Sequence, residues 1–229
     1  MFQRDLFARS TTAAVPNIYE GDWRDVAESW PRPFVLITDP PYGIAYRSKR
    51  RDPKRVVIMG DESTVERDSV LELDGWEAAA VFGPGGHKVL QVPPWGSPRA
   101  LLTYDKGKGT GMGDLSFPWA PNTESIAIYG NGWKGSRSSS VLRGHVLAYS
   151  RSTINNGRRH PHEKPLNIIG ELVRKAPPGL PIVDPFLGSG TTAVACLMLG
   201  REFYGAELDP QYHATIRHRI ARASASSVE

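Results

Sequence analysis

A single cysteine, Cys196, is the only thiol in the 229 residues. That excludes an internal disulfide framework and a cysteine-rich zinc site. Long apolar runs are missing too: no stretch approaches the roughly 20 residues needed to cross a bilayer. The opening residues, MFQRDLFARS, have no apolar core of the kind a secretory signal needs, so a cytoplasmic location is expected. There is no internal repeat and no HExxH metal helix. His160 and His162 form an HxH pair without a third ligand at helical spacing, so no metal is expected. Gly188-Ser189-Gly190 lacks the serine elbow of a hydrolase. These absences remove the disulfide-rich secreted, membrane-spanning, zinc-protease and serine-hydrolase classes.

What remains is an ordinary globular composition, 40% apolar and 23% charged, of a length suited to one domain. A polar tail, 224–229, is expected to fray. The net charge of +4 is modest, but it is unevenly placed. Six of the nine residues from Arg47 to Arg55 are cations: Arg47, Lys49, Arg50, Arg51, Lys54 and Arg55, against one Asp. Such a cluster suits a phosphate-contacting loop better than a plain solvated one.

Short apolar runs at Phe34–Thr38, Ala78–Phe82, Ala100–Tyr104, Ser125–Tyr129, His145–Tyr149, Leu180–Val183 and Glu202–Gly205 read as strands. Several lack strict alternation, as strands buried on both faces do. Helical patterns fall at Trp23–Trp30, Leu166–Lys175, Thr191–Leu199 and Pro210–Ala223. Strands alternating with helices predict an α/β fold: a Rossmann-like open, mostly parallel twisted sheet with helices on both faces. Glycine and proline crowd the stretch between Phe82 and Lys134, where loops suited to recognition are expected.

Two strand ends carry the chemistry. The first is Val35-Leu36-Ile37-Thr38-Asp39-Pro40-Pro41-Tyr42-Gly43. The prolines fix φ and remove two N–H donors, so the Asp39 carboxylate and the Pro40 carbonyl stand as neighbouring acceptors beside the flat ring of Tyr42. Two acceptors and a stacking surface match a planar base bearing an exocyclic NH2. The second is Ile182-Val183-Asp184-Pro185-Phe186-Leu187-Gly188-Ser189-Gly190-Thr191-Thr192. Its glycine turn opens a helix and admits a ligand to main-chain N–H groups. Seventeen residues past Gly190, at the end of the next apolar run, Glu207 stands where ribose-binding carboxylates are found. The third glycine of a dinucleotide fingerprint and the Lys of a P-loop are both missing. A nucleoside without a pyrophosphate therefore fits better, and S-adenosylmethionine is such a ligand.

Asp39-Pro40-Pro41-Tyr42 resembles the catalytic motif of amino-group DNA methyltransferases, and the 184–191 segment resembles their cofactor motif. His160-Pro161-His162-Glu163-Lys164-Pro165-Leu166 is similar to the segment leading into their first cofactor-side helix. The order, catalytic before cofactor, resembles the circularly permuted β class, from about Ile18 to Ala221. The resemblance implies one methyltransferase domain over 1–229, with recognition inserts at 43–60 and 106–143. It implies N6 methylation of adenine in double-stranded DNA by base flipping, with S-adenosylmethionine as cofactor. Asp39, Pro40, Pro41 and Tyr42 would form the catalytic turn. Asp22, Lys164, Asp184, Phe186, Gly188, Gly190, Thr191 and Glu207 would hold the cofactor, with Lys164 reaching its methionine carboxylate and Asp22 its adenine. The 47–55 cations would contact DNA. A homodimer and a cognate restriction nuclease are further partners that the resemblance leaves room for. Two other readings stand beside it: methylation of cytosine N4, whose enzymes more often carry Ser where Asp39 stands, and a non-catalytic DNA-binding protein on the same scaffold.

Overall fold

The structure is a computed structural model that describes residues 16–43, 63–85, 96–107, 116, 118–119, 121–144 and 163–226. Its core begins with Phe34–Thr38, strand β2, in which all five side chains are buried. Val35 and Ile37 enter one apolar cluster while Phe34 and Leu36 enter another, so the run is apolar throughout because both faces of the strand are covered. Asn17–Glu20 forms β1, followed in the chain by β2, helix α1 (Val65–Leu71), β3 (Trp76–Pro84), β4 (Ala100–Asp105), β5 (Thr123–Gly130) and β6 (Val141–Arg143). Helix α2 (Leu166–Lys175), β7 (Ile182–Asp184), α3 (Thr191–Met198), β8 (Phe203–Glu207) and α4 (Pro210–Ser226) complete the described elements.

The eight described strands make one sheet in the order β1-β8-β7-β2-β3-β5-β4-β6. The five strands from β1 to β3 are mutually parallel, and β6 runs parallel to β4. Only β5 opposes its neighbours, pairing antiparallel with both β3 and β4. Helices α2 and α3 pack on one face with Ile216 of α4. Trp23, Ala27 and Trp30, together with Val70 and Leu71 of α1, pack on the other. The expected open, mostly parallel sheet with helices on both faces is what forms.

Helix α2 buries Ile168, Ile169, Leu172 and Val173, a stripe at the helical period. Arg201 closes its far end, donating to the carbonyls of Val173, Ala176, Pro177 and Leu180. Helix α3 is buried from Thr191 to Leu197, because it lies against both α2 and α4 as well as the sheet.

Some expectations change. The helix read at Trp23–Trp30 is two single 3-10 turns, Trp23–Asp25 and Ala27–Ser29. Val26 leaves the helical region at φ −125°, which splits the segment while still burying Trp23, Ala27 and Trp30. The stretch expected as an insert, 106–143, contains all of β5 and β6. The strand read within it at Ser125–Tyr129 forms as the middle of β5, with Ser125, Ile126 and Ile128 buried in the sheet core. The strand read at His145–Tyr149, the histidine pair His160/His162 and the cations Arg47, Lys49, Arg50, Arg51, Lys54 and Arg55 lie outside the described residues.

Candidate active site

Strands β2 and β7 are parallel neighbours, with Val35 opposite Ile182 and Leu36 opposite Val183. Both motif-bearing turns consequently leave the sheet at the same carboxyl edge. A side-chain bond ties them together: the Thr38 hydroxyl donates to Asp184 Oδ1 at 2.8 Å. The Phe186 amide donates to the same oxygen at 3.2 Å, and Thr192 adds another hydrogen bond. Burial nevertheless dominates and pushes the Asp184 carboxyl up to about 6. Asp184, expected among the cofactor ligands, thus spends its side chain on joining the two turns.

The turn from Asp39 to Gly43, the candidate catalytic turn, is tightly built. Gly43 ends it at φ +70°, and a Cβ there would lie 2.7 Å from the Ser63 backbone, so no other residue fits. Pro40 and Pro41 are buried, while Asp39 and Tyr42 are partly open. The Tyr42 hydroxyl donates to Asp39 Oδ1 at 2.7 Å. Lys164 places its ammonium 2.6 Å from Asp39 Oδ2, 3.0 Å from Glu124 Oε2 and 3.2 Å from the Tyr42 hydroxyl. Glu124 in turn takes Lys106 at 2.8 Å. Despite its burial, Glu124 is held down at about 2 by the two ammonium groups beside it. Burial works against the Lys164 ammonium too, but Asp39 and Glu124 outweigh it and raise its pKa. Burial and the two neighbouring carboxylates push Tyr42 well above its ordinary value, so it stays a neutral phenol.

This cluster gives Lys164 a carboxylate partner and adds two residues. Lys164, expected to reach the methionine carboxylate of the cofactor, has its ammonium paired with Asp39. Glu124 and Lys106 were not singled out as site residues. The sequence signal for them was a lone Glu at the start of an otherwise apolar strand, Thr123–Gly130, but only the antiparallel pairing of β5 with β3 brings it beside residue 39.

The glycine turn runs from Leu187 to Gly190, with positive φ at Gly188 (54°) and Gly190 (85°). Glu207, at the end of β8, accepts the Gly188 amide at 2.6 Å through Oε2 and the Asp209 amide at 2.8 Å through Oε1. Burial raises its carboxyl to about 7 even against these two bonds. A further main-chain bond, Gly21 N–H to the Glu207 carbonyl at 2.9 Å, sets Asp22 at the same edge. Asp22 itself caps the first 3-10 turn through the Arg24 amide and pairs with the Arg24 guanidinium. Phe186 packs against the cluster on the Trp23 face.

Gly190 and Thr191, expected among the cofactor residues, have neighbours on α4. A Cβ on Gly190 would meet Ile216 of α4 at 3.3 Å, so this glycine serves the packing of α4 and the left-handed turn. The Thr191 hydroxyl receives Arg219 at 3.2 Å, and the same guanidinium group donates to the Ser189 carbonyl and pairs with Glu163.

An open parallel sheet with a glycine turn and a carboxylate at adjacent strand ends defines a nucleoside-binding α/β enzyme, and the acceptor-rich turn on the neighbouring strand gives it a second, base-like partner to act on. Comparison with known proteins makes this specific. A family model of the N6/N4 type, described as a DNA methylase, matches residues 100–218. The Escherichia coli (strain K12) methylase homologue YubD is 41% identical over 230 residues, covering 88% of this chain and 88% of its own. Type II methyltransferase M.BglII of Bacillus subtilis is 41% identical over 237 residues, covering 85% of this chain and 66% of its own. The chain belongs to the N6/N4 DNA methylase family. Among solved structures, the cytosine-N4-specific PvuII DNA methyltransferase shares the fold with a TM-score of 0.64 at 15% identity, covering 95% of this chain and 93% of its own. The M1.HpyAVI–SAM complex does so with a TM-score of 0.58 at 18% identity, covering 89% of this chain and 98% of its own.

S-adenosylmethionine is the methyl donor that goes with this family, and the described residues fit it. The buried Glu207 carboxylate accepts one N–H on each oxygen and keeps lone pairs for a diol, as a ribose requires. Among the described residues no three His, Cys, Asp or Glu are grouped to hold a metal, and no helix is long and apolar enough to cross a membrane.

Proposed function

We propose that this chain is a site-specific methyltransferase of the permuted β class that acts on adenine N6 in double-stranded DNA. The observation that carries the reading is the Asp39-Pro40-Pro41-Tyr42 turn tied to the glycine turn through Thr38 and Asp184. Aspartate at position 39, where the cytosine-directed enzymes more often carry serine, supports adenine. Cytosine N4 is the second reading, favoured by the fold shared with the cytosine-N4-specific PvuII enzyme.

Glu207 would hold the ribose hydroxyls, the Gly188 turn the methionine portion, and Asp22 and Phe186 the neighbourhood of the adenine. When bound, S-adenosylmethionine supplies a methyl group already activated by its sulfonium. The protein's task is then alignment. An aryl amine is a weak nucleophile because its lone pair is spread into the ring. Asp39 and the Pro40 carbonyl, accepting the two amino hydrogens, favour a pyramidal nitrogen and stabilise the positive charge that builds there. Tyr42 provides the face on which the extruded base stacks, offsetting a cost of a few kcal/mol for leaving the duplex. Recognition loops within 43–60 and on either side of β5, together with the 47–55 cations, would position the DNA.

Modified-base sequencing of DNA from cells making the protein tests the reading and gives both the base and its sequence context. Asp39→Ala is expected to abolish the modification, while calorimetry shows S-adenosylmethionine binding largely retained. Turnover like that of the wild type would refute the assignment of the catalytic turn.

A further inference from the structure

Lys164 is buried, with its side chain only 7% exposed, and its ammonium touches the one carboxylate assigned to the target amino group. Asp39 Oδ2 and Lys164 Nζ, 2.6 Å apart, set an acceptor directly beside a donor. The rings of Tyr42 and Phe82 lie 5.6 and 5.2 Å from the same ammonium, so it sits between two aromatic faces as well as two carboxylates. Glu124 supports Lys164 from the other side, and Lys106 holds Glu124.

A nucleobase edge that complements this pair must carry an N–H donor next to a lone-pair acceptor. An amino group beside an unprotonated ring nitrogen has that pattern, N6 with N1 in adenine and N4 with N3 in cytosine. On the Watson–Crick edge, guanine and thymine present the reverse, a carbonyl beside a ring N–H, and would set oxygen against Asp39 and a proton against Lys164. Resting on the methyltransferase reading above, we propose that Lys164 contacts the base directly, donating to the ring nitrogen next to the amino group that Asp39 holds. The pair then selects amino bases over keto bases. It does not separate adenine from cytosine, which share the edge; the size of the pocket must do that.

The surroundings of the ammonium agree with this role. It bonds to Asp39 Oδ2 and has Glu124 as a second anchor, so it shifts from one carboxylate toward the incoming ring nitrogen while keeping a charge partner. Lys164 stays protonated, because its two carboxylate neighbours raise its pKa, and so acts as a hydrogen-bond donor rather than a base.

The test uses duplexes carrying the target site with adenine, 1-deazaadenine or 7-deazaadenine at the methylated position; 3-deazacytosine replaces 1-deazaadenine if the methylated base is cytosine. Replacing the ring nitrogen by C–H removes the acceptor and leaves the amino group. The wild-type enzyme is expected to lose roughly 10- to 100-fold in kcat/KM on the 1-deaza substrate, the size of one hydrogen bond to a charged group, and far less on the 7-deaza control. Lys164→Met is expected to be slow on adenine yet to show no further loss on 1-deazaadenine. Equal rates of the wild type on adenine and 1-deazaadenine overturn the proposal, a result that needs no variant to fold. A penalty in Lys164→Met as large as in the wild type overturns it too, since Lys164 would then act only by supporting Asp39. Absence of methyl transfer to any unmodified duplex is a separate outcome, which overturns the methyltransferase reading and this proposal with it.

Discussion

Glu207 shows how much of the site's chemistry lies in one residue's surroundings. Its carboxyl is raised to about 7 because burial outweighs the two amides that donate to it. Only the ionised form accepts from both hydroxyls of a ribose. Below the raised value the free protein holds a neutral acid there, so affinity for S-adenosylmethionine is expected to rise from pH 6 to pH 8. Calorimetry across that range checks it, and Glu207→Gln should flatten the profile while weakening binding by about 1–3 kcal/mol. Gly190 gives a contrasting case. It was expected to leave room for the ligand, yet its missing Cβ faces Ile216 at 3.3 Å and its φ is +85°. Gly190→Val should therefore cost the fold about 1–3 kcal/mol through strain and overpacking, seen as a lower midpoint in denaturant without any ligand present. If stability is unchanged and only cofactor binding falls, the glycine faces the ligand after all.

Between elements, the tie from Thr38 on β2 to Asp184 on β7 sets the spacing of the two functional turns. Asp184 carries a carboxyl raised to about 6, so the folded state prefers it neutral. The sign follows: its favourable contribution is full below the ordinary aspartate value of 3.8 and is lost as pH rises through about 6. Asp184→Asn keeps an acceptor for Thr38 and Phe186 without the buried charge. The variant should be more stable than the wild type at pH 8, by about 1–3 kcal/mol, and should lose that advantage at pH 4. Denaturant melts at the two values decide it. The elements themselves were unevenly legible. Leu166–Lys175 was read to its ends because its apolar spacing is helical and a buried stripe requires it. Helix α1 was missed because its seven residues bury only Val70 and Leu71, too little for a periodic signal. Strand β1 was missed because it lies at the sheet edge, mostly exposed and held by backbone pairing to β8 rather than by apolar side chains.

At the scale of the whole molecule the question is how a small, mildly basic chain grips DNA. The cations between 47 and 55 follow directly on the 39–43 turn in sequence, and we propose that they hold the phosphates that flank an extruded base. Phosphate contacts carry little sequence information. Neutralising Arg50, Arg51 and Lys54 together should weaken binding to all duplexes alike. It should also reduce the slope of log affinity against log salt by about one unit for each phosphate no longer neutralised. An unchanged slope would show that these side chains do not touch phosphate. A weakening confined to the target site would show that they read bases.

The sequence by itself determined the fold class and the place of both candidate functional turns at strand ends. Buried strands, helix stripes, the paired prolines and the glycine turn are local patterns, and each is written within about ten consecutive residues. Tertiary structure decided which distant residues complete the site. Glu124 and Lys164 join Asp39 only because β5 reverses against β3 and because the segment before α2 returns to the catalytic edge. A cation's partner depends on where the chain delivers it, and nothing within ten residues of Lys164 specifies a carboxylate at position 39. The same holds for the neighbours of Asp184 and Gly190, which are Thr38 of the adjacent strand and Ile216 of α4.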